Sequence, residues 1–389
     1  MRTRGALPIY CAHFFLTTAL GVVFVFLEDV QEELGLADWG IGVIAGTGFL
    51  AALFANLALA PLADRGRTAQ LAVLGVVTGV IGPIMFAFGG DTTVLAIGRG
   101  LTGIGLGLFG LAARKALIGE DAEGGGIKLG ILLSVAVAGF ILGPFIGAAL
   151  EPISFEAPFI FVATAIGVAG VPATVAIAAA PIASTPVDYS DLGKLVRRPR
   201  VQSAMLAAVL VYSYIGVFDA TLDRLITDLG GDTASVAVAI VFTGGPMLVL
   251  PRIVGGLAER RGASTLMVPA LLLLVPVMLG YWWAGAVWFV AFTGFLHGSG
   301  ESFVIVSAQV LSLEVTGAER AAIGTGLLDS AGLLAAAIGA FVGPILYGSV
   351  GQTAFLWTFL FGVFLGALIL QRASKAVYDD EPAPSVLGT

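Results

Sequence analysis

In the run FTGFLHGSGESFVIV, His297 and Glu301 stand four residues apart, so a helix places them on one face, a turn from each other. An imidazole and a carboxyl at that spacing can share and pass a proton. A carboxyl removed from water binds and releases its proton nearer neutral pH than one in water, which suits a proton carrier. Glu301 is the leading candidate for that role, with His297 as its helper. The competing reading is a structural ion pair or a helix-to-helix hydrogen bond. Asp219 and Asp223 repeat the four-residue spacing, and Arg99 and Glu28 are further ionisable groups in or at the end of apolar runs. Asp223 can instead pair with Arg224 or cap the end of its helix, which makes Asp219 the stronger candidate of the two. His13 reads as an interior histidine.

What surrounds these groups is lipid-like. The 389 residues are 58% hydrophobic and 12% charged, with 54 glycines and a mean hydropathy of +1.00. That charged share is about half that of a soluble domain. The excess apolar side chain must face lipid, and the largely unbroken runs of about 20 residues have the helical length for crossing a bilayer. A β-barrel would alternate polar and apolar residues over roughly ten-residue segments. The expectation is an all-α membrane protein. A net charge of −7 speaks against nucleic acid as a partner. A single cysteine, Cys11, excludes an internal disulfide. The first run, headed by Arg2 and Arg4, mimics a signal peptide but is too long and lacks a cleavage pattern, so it reads as a retained first helix.

Charged and turn-rich gaps divide the chain into twelve spans. Six run over about 8–28, 41–60, 70–89, 94–116, 128–149 and 158–180. Six more run over about 204–226, 235–257, 265–284, 286–312, 322–347 and 353–371. The organisation expected is an N-terminal six-helix bundle (1–180), a cytoplasmic linker (181–203), a C-terminal six-helix bundle (204–372) and a disordered cytoplasmic tail (373–389). Lys and Arg gather at the N-terminus, in or beside alternate loops, in the linker and in the tail, so the positive-inside rule puts both termini in the cytoplasm. The halves also match each other. LADRG (Leu62–Gly66) corresponds to LAERRG (Leu257–Gly262), and Gly103 and Gly105 to Gly298 and Gly300, at an offset of 195 residues. The prolines in LGPFIG and VGPILYG, Pro144 and Pro344, are 200 apart. Parallel six-helix repeats are a transporter arrangement.

Four motifs then carry a family resemblance over nearly the whole chain. APLADRGRTAQL (Ala60–Leu71) is similar to the G-x-L-A-D-R-x-G-R-K loop between the second and third helices of the major facilitator superfamily, with Ala60 and Thr68 as departures and one residue missing before Gly66. GGLAERRG (Gly255–Gly262) is a closer copy between helices 8 and 9. IGRGLTGIG (Ile97–Gly105) resembles the fourth-helix R-x-x-Q-G-x-G, with Thr102 for glutamine, and GFILGPFIGA (Gly139–Ala148) the fifth-helix G-x-x-x-G-P-x-x-G-G of proton-coupled exporters, with Ala148 for the last glycine. The resemblance implies the twelve-helix fold of that superfamily, two pseudo-symmetric six-helix bundles. It also implies that helices 1, 4, 7 and 10 line a central cavity, which would put Glu28, Arg99, Asp219, Asp223, His297 and Glu301 within reach of a substrate.

The same motifs suggest two mechanical parts. Asp64, Arg65, Gly66 and Arg67, with Glu259, Arg260 and Gly262 in the second half, form a candidate cytoplasmic latch. Its aspartate can meet a helix N-terminus, and its arginines can reach acids such as Glu120 or Asp121. The resemblance implies that it locks an outward-facing state against the start of helix 11, with Asp329 as part of it. The other reading is that the arginines merely set topology. Gly139, Gly143, Pro144 and Gly147, with Gly343 and Pro344, read as close-packed seams between the halves that bend as one half rocks; a static packed kink is the alternative.

Several chemistries are excluded by what is missing. GLGLFG (Gly105–Gly110) satisfies G-x-G-x-x-G but lies inside an apolar helix without the strand that a nucleotide site requires. Walker A, G-x-S-x-G and H-E-x-x-H patterns are absent, and two histidines with one cysteine offer no metal-ligand cluster. The expectation is a monomeric secondary transporter in the cell membrane, not an enzyme, with no nucleotide, metal or cofactor and a proton gradient as energy source. It would export small lipophilic compounds, with a cationic preference suggested by the excess of acids and by Phe14, Phe15, Phe24 and Phe26. Import or facilitated passage of an organic metabolite, and a transport-dead receptor or scaffold, are the alternatives.

Overall fold

The structure is a computed structural model describing residues 3–64, 66–118, 125–180, 192–316 and 321–379. Its helices are α1 (Thr3–Gly21), α2 (Leu27–Leu34), α3 (Asp38–Asp64), α4 (Thr68–Ala87), α5 (Thr92–Ile118), α6 (Gly125–Leu150), α7 (Ala157–Ala178), α8 (Leu192–Val196), α9 (Pro199–Asp228), α10 (Thr233–Arg261), α11 (Ala263–Leu274), α12 (Val277–Trp282), α13 (Val287–Thr316), α14 (Ala321–Val350) and α15 (Ala354–Asp379). Twelve spans result, because α11 and α12 make one span interrupted at Val275–Pro276, while α2 and α8 are short connectors. Helix α9 begins five residues earlier than expected, with Pro199 in its first turn, where a missing N–H costs nothing. Helix α15 runs on to Asp379, so 373–379 are helical rather than tail; 380–389 and 181–191 lie outside the described residues.

In lipid no hydrophobic force drives helices together, so they associate where backbones can approach closely. The repeat offset found in the sequence reappears as an offset between contacts. A Cβ on Gly103 would strike the Gly48 carbonyl, joining α5 to α3, and a Cβ on Gly298 would strike the Thr243 carbonyl, joining α13 to α10. On Gly105 it would lie 2.7 Å from Gly79 N of α4, and on Gly300 2.9 Å from Leu274 Cα of α11. Each second-half residue is its first-half counterpart plus 195. Two structurally equivalent bundles follow from one repeated set of crossings.

The glycine stripes of α6 and α14 correct one expectation. Gly139, Gly143 and Gly147 all face α1 and the residues just after it, where their Cβ positions would meet Thr17, the Thr18 carbonyl and Val25. Gly339 and Gly343 likewise face α9, against the Ser213 carbonyl and Val217. These are seams within each half rather than between the halves. The prolines explain them. Pro144 frees the Phe140 carbonyl, and Gly21 packs directly onto that oxygen; Gly216 packs onto α14 four residues short of the carbonyl Pro344 frees, at Ala336. Both helices run through their prolines unbroken. The halves meet elsewhere. Gly42 and Gly46 of α3 abut Phe341 and Ala337 of α14, and Gly244 of α10 receives Ile141 of α6. All these contacts lie in the parts of the helices remote from the chain termini.

Replacing Gly143 by Leu should therefore separate α6 from α1 and destabilise the first half by about 1–3 kcal/mol or more. Gly245→Ala, with nothing within 4 Å of the added Cβ, should be neutral or slightly stabilising. Thermal unfolding of the purified protein measures both, and equal midpoints for Gly143→Leu and wild type would contradict the packing described.

Candidate functional site

Helix α1 stops at Gly21 and continues as a 3₁₀ segment, Val22–Val25. Tightening there leaves carbonyls of the last α-turn without intrahelical partners. The Leu20 carbonyl is taken by Nη1 of Arg99, reaching across from α5. The guanidinium also lies over the Phe24 ring, 4.6 Å from its centroid, and beside Gly48, which has no side chain to block it. Arg99 is 1% exposed, and its Nε and Nη2 have no hydrogen-bond partner. A cation buried this way stays only if a carboxylate answers it. Asp219 of α9 acts on it by charge from the other half, without a direct ion pair, and Glu301 of α13 acts on Asp219 in the same way. Asp219 Oδ2 makes no hydrogen bond.

Glu301, 1% exposed, continues to His297, which is fully buried. Oε1 and Nε2 lie 3.2 Å apart but off the line of a hydrogen bond. The imidazole sits in an aromatic box: Tyr214, Phe218 and Tyr281 have ring centroids 6.0, 5.2 and 5.7 Å away. Its Nδ1 is 3.2 Å from the Tyr281 hydroxyl. Arg99, Asp219, Glu301 and His297 thus form one sealed ladder of charge running from the first half into the second.

Asp223 and Glu28 belong to a different place. Asp223, buried in α9, accepts a hydrogen bond of 2.8 Å from the Glu28 backbone N–H. Helix α2 has no side-chain cap of its own, so a carboxylate from the other half caps its positive end. The neighbouring Arg224 binds Asp38 at 2.8 Å and approaches Glu28 at 3.9 Å, and its guanidinium lies 5.5 Å from the Tyr347 ring. Tyr347 donates to Asp228, and Thr233 to Glu151 across the same interface. This is a closed gate at the end remote from the termini. Asp223 therefore pairs with a backbone amide rather than with Arg224. Asp38 and Tyr281 were not singled out in the sequence; for Asp38 the available signal was an acid in the first turn of a helix.

Phe24 and Phe26, just after α1, are not free to receive a ligand, whereas Phe14 and Phe15 of α1 are half-buried. Phe24 is covered by Arg99, and Phe26 packs on Phe155 and Phe159 with centroids 5.5 Å away. His13 is buried and stacked on Phe109. At the other end of the bundle, Gly66 and Gly262 have φ of +80° and +85°, the left-handed region that glycine takes without strain. They turn the chain between spans 2 and 3 and between spans 8 and 9. Arg67 and Arg260 are exposed. Arg65, Glu120 and Asp121 and the side chains of Asp64 and Glu259 lie outside the described residues. Asp329 is approached by Arg114 of α5, at 3.9 Å, so α5 supplies a cation at this end.

Among the described residues, twelve spans in two repeated bundles, closed at one end and holding buried charge, define a transporter of the alternating-access kind. The chain belongs to the Major Facilitator Superfamily, whose profile matches residues 9–287. It is 24% identical over 306 residues to the quinolone resistance protein NorA of Staphylococcus aureus (strain MRSA252), covering 74% of this chain and 77% of that one. A bacterial homologue of the human lysosomal transporter Spinster, in an inward-facing and unoccupied conformation, superposes with a TM-score of 0.79 at 16% identity over 98% of this chain and 99% of that one. The nucleoside transporter NupG, in a mutant form, gives 0.78 at 14% identity over 95% and 99%.

The gate generates a prediction. Burial raises the carboxyl of Glu28, with Arg224 opposing the effect. A raised value means that the closed gate binds more protons than an opened, solvated one, so acid favours closure and rising pH loosens it. With Cys11 replaced by Ser, a cysteine reporter at Thr221 should be labelled by an impermeant maleimide faster at about pH 8 than at about pH 6, after correction for the reagent's own pH dependence. Arg224→Gln should accelerate labelling at both.

Proposed function

We propose that this transporter exports small lipophilic compounds in exchange for protons. The observation that carries this reading is the sealed ladder of Arg99, Asp219, Glu301 and His297. Two acids and an imidazole buried in the second half, with Arg99 of the first half the nearest buried cation, are costly in a membrane unless the transport cycle uses them. Glu301 is the proton-carrying group, His297 shares its proton, and Asp219 balances the charge of Arg99 from a distance while the remote gate is closed. With both termini in the cytoplasm, as the distribution of Lys and Arg indicates, the gate lies on the outer side and the conformation is inward-facing. The proton gradient across the cell membrane is the energy source, and the protein needs no cofactor.

Export rather than import is supported by the fifth-helix motif and by the relative whose name records quinolone resistance. A cationic portion in the substrate fits the excess of acids, Asp219 and Glu301 against Arg99. Such a cation competes with the proton for the same carboxylates, and that competition is the basis of exchange.

Proteoliposomes with an imposed pH gradient test this, with ethidium as the probe. Ethidium movement against its gradient should be accompanied by opposite proton flux, and Glu301→Gln should reduce both at least tenfold. Probe flux without protons would instead indicate a facilitator, and neither flux would indicate a receptor or scaffold. Either result overturns the proposal.

A further inference from the structure

Arg252 is a cation that the bundle leaves facing lipid. It lies inside the apolar span Thr233–Ala258 of α10, 9 residues before Arg261. That is about 14 Å from the end of the helix. The side chain is exposed, and its neighbours Val249 and Ile253 are 62% and 58% exposed. The repeat shows what the other half keeps in this position. Its counterpart 195 residues earlier is Leu57, 60% exposed, a side chain suited to acyl chains. An arginine in the same place is costly unless something answers its charge. Protein does not. Among the described residues, Arg252 makes no hydrogen bond or ion pair. The packing beside it, around Val254 and Ala258, is apolar, with Leu266 of α11 and Phe303, Val306 and Val310 of α13.

The next two turns of α10 indicate the partner. Gly256 is open, with nothing within 4 Å of an added Cβ. Arg260 is exposed and, among the described residues, equally without a hydrogen bond or ion pair. Arg252, Gly256 and Arg260 follow at successive turns, so bare backbone separates two guanidiniums rooted about 12 Å apart along the axis. A guanidinium presents a planar fork of N–H donors that matches a phosphate. From Arg252 to Arg261 the chain carries three arginines and one glutamate, Glu259, a net charge of +2. The partner must therefore be a phosphate-bearing anion, and Val249 continues the same face into the bilayer, where only an acyl chain can lie.

We propose that this face of α10 binds an anionic phospholipid, its phosphate on Arg252 and Arg260 over Gly256 and its acyl chains along Val249. The site belongs to the leaflet on the side of the chain termini and uses none of the residues assigned to proton exchange. A net-neutral phospholipid brings its own cation beside the phosphate and cannot neutralise the excess arginine, so the site selects by headgroup charge.

The test uses the full-length protein in bilayers, with Cys11→Ser and a fluorophore on Leu248→Cys, a position 45% exposed and one turn from Arg252. Phosphatidylglycerol and phosphatidylcholine with brominated acyl chains are compared as quenchers at equal mole fraction. The phosphatidylglycerol should be preferred about fivefold, the worth of one basic residue near an anionic surface. Arg252→Leu, which installs the residue found at the Leu57 counterpart, should abolish the preference. Arg197→Leu, an exposed arginine at the same membrane face, should leave it unchanged, and so should excess inorganic phosphate. Thermal unfolding of each variant checks its fold.

Equal quenching by the two lipids would overturn the proposal and leave Arg252 as a side chain that only reaches for water. A preference that survives Arg252→Leu, or one that falls equally with Arg197→Leu, would reduce it to general surface charge. Displacement by inorganic phosphate would mark a site for small anions and would overturn it as well.

Discussion

The structure depends on backbones that nearly touch. Helices in lipid gain little by burying leucine against leucine, since the acyl chains offer the same contact. What holds α1 to α6, α3 to α5, α9 to α14 and α10 to α13 is glycine set against another helix's carbonyl or Cα. Those crossings bring α13 so close to α10 that Gly298 lies on the Thr243 carbonyl, and they set His297 of the same helix against the Tyr281 hydroxyl. The polar site is thus a by-product of apolar packing. A larger residue at Gly298 would move both.

The two halves use one frame for different ends. Position 48 is a glycine that leaves room for Arg99; its counterpart, 195 residues on, is Thr243. Arg99 itself corresponds to Gly294, Asp219 to Phe24, His297 to Thr102 and Glu301 to Leu106. The fold is symmetric and the chemistry is not. One half holds the cation over a phenylalanine, and the other holds the acids and the imidazole. The two kinds of charge, Arg99 on one side and Asp219 and Glu301 on the other, sit in different halves.

The twelve spans, the duplication and the pairing of His297 with Glu301 were legible in the sequence because each is a matter of local period. A run of about 20 apolar residues, an offset of 195 and a spacing of four need no knowledge of partners. Partners were what the sequence withheld. The stripe at Gly139, Gly143 and Gly147 announces that a helix comes close, but not which one, and the answer was α1 rather than the opposite half. Asp223 lies beside Arg224 in the chain, yet helical geometry turns adjacent residues to different directions, so the acid found the Glu28 amide and the base found Asp38. Tyr281 ends a span broken at Val275–Pro276, where the Tyr214 hydroxyl donates to the Val275 carbonyl; no periodicity marks such a position.

The hydrogen bond from Glu28 to Asp223 joins residues separated by 195, the repeat offset itself. Symmetry-related positions can touch only beside the axis that relates them, so this bond locates that axis within the gate. It acts as a fulcrum. A helix such as α9, with 30 residues, is about 45 Å long. Swung about a point near one end by about 10°, its far tip travels about 8 Å over that length. A small rearrangement of two side chains at one membrane face is thereby geared into a doorway at the other.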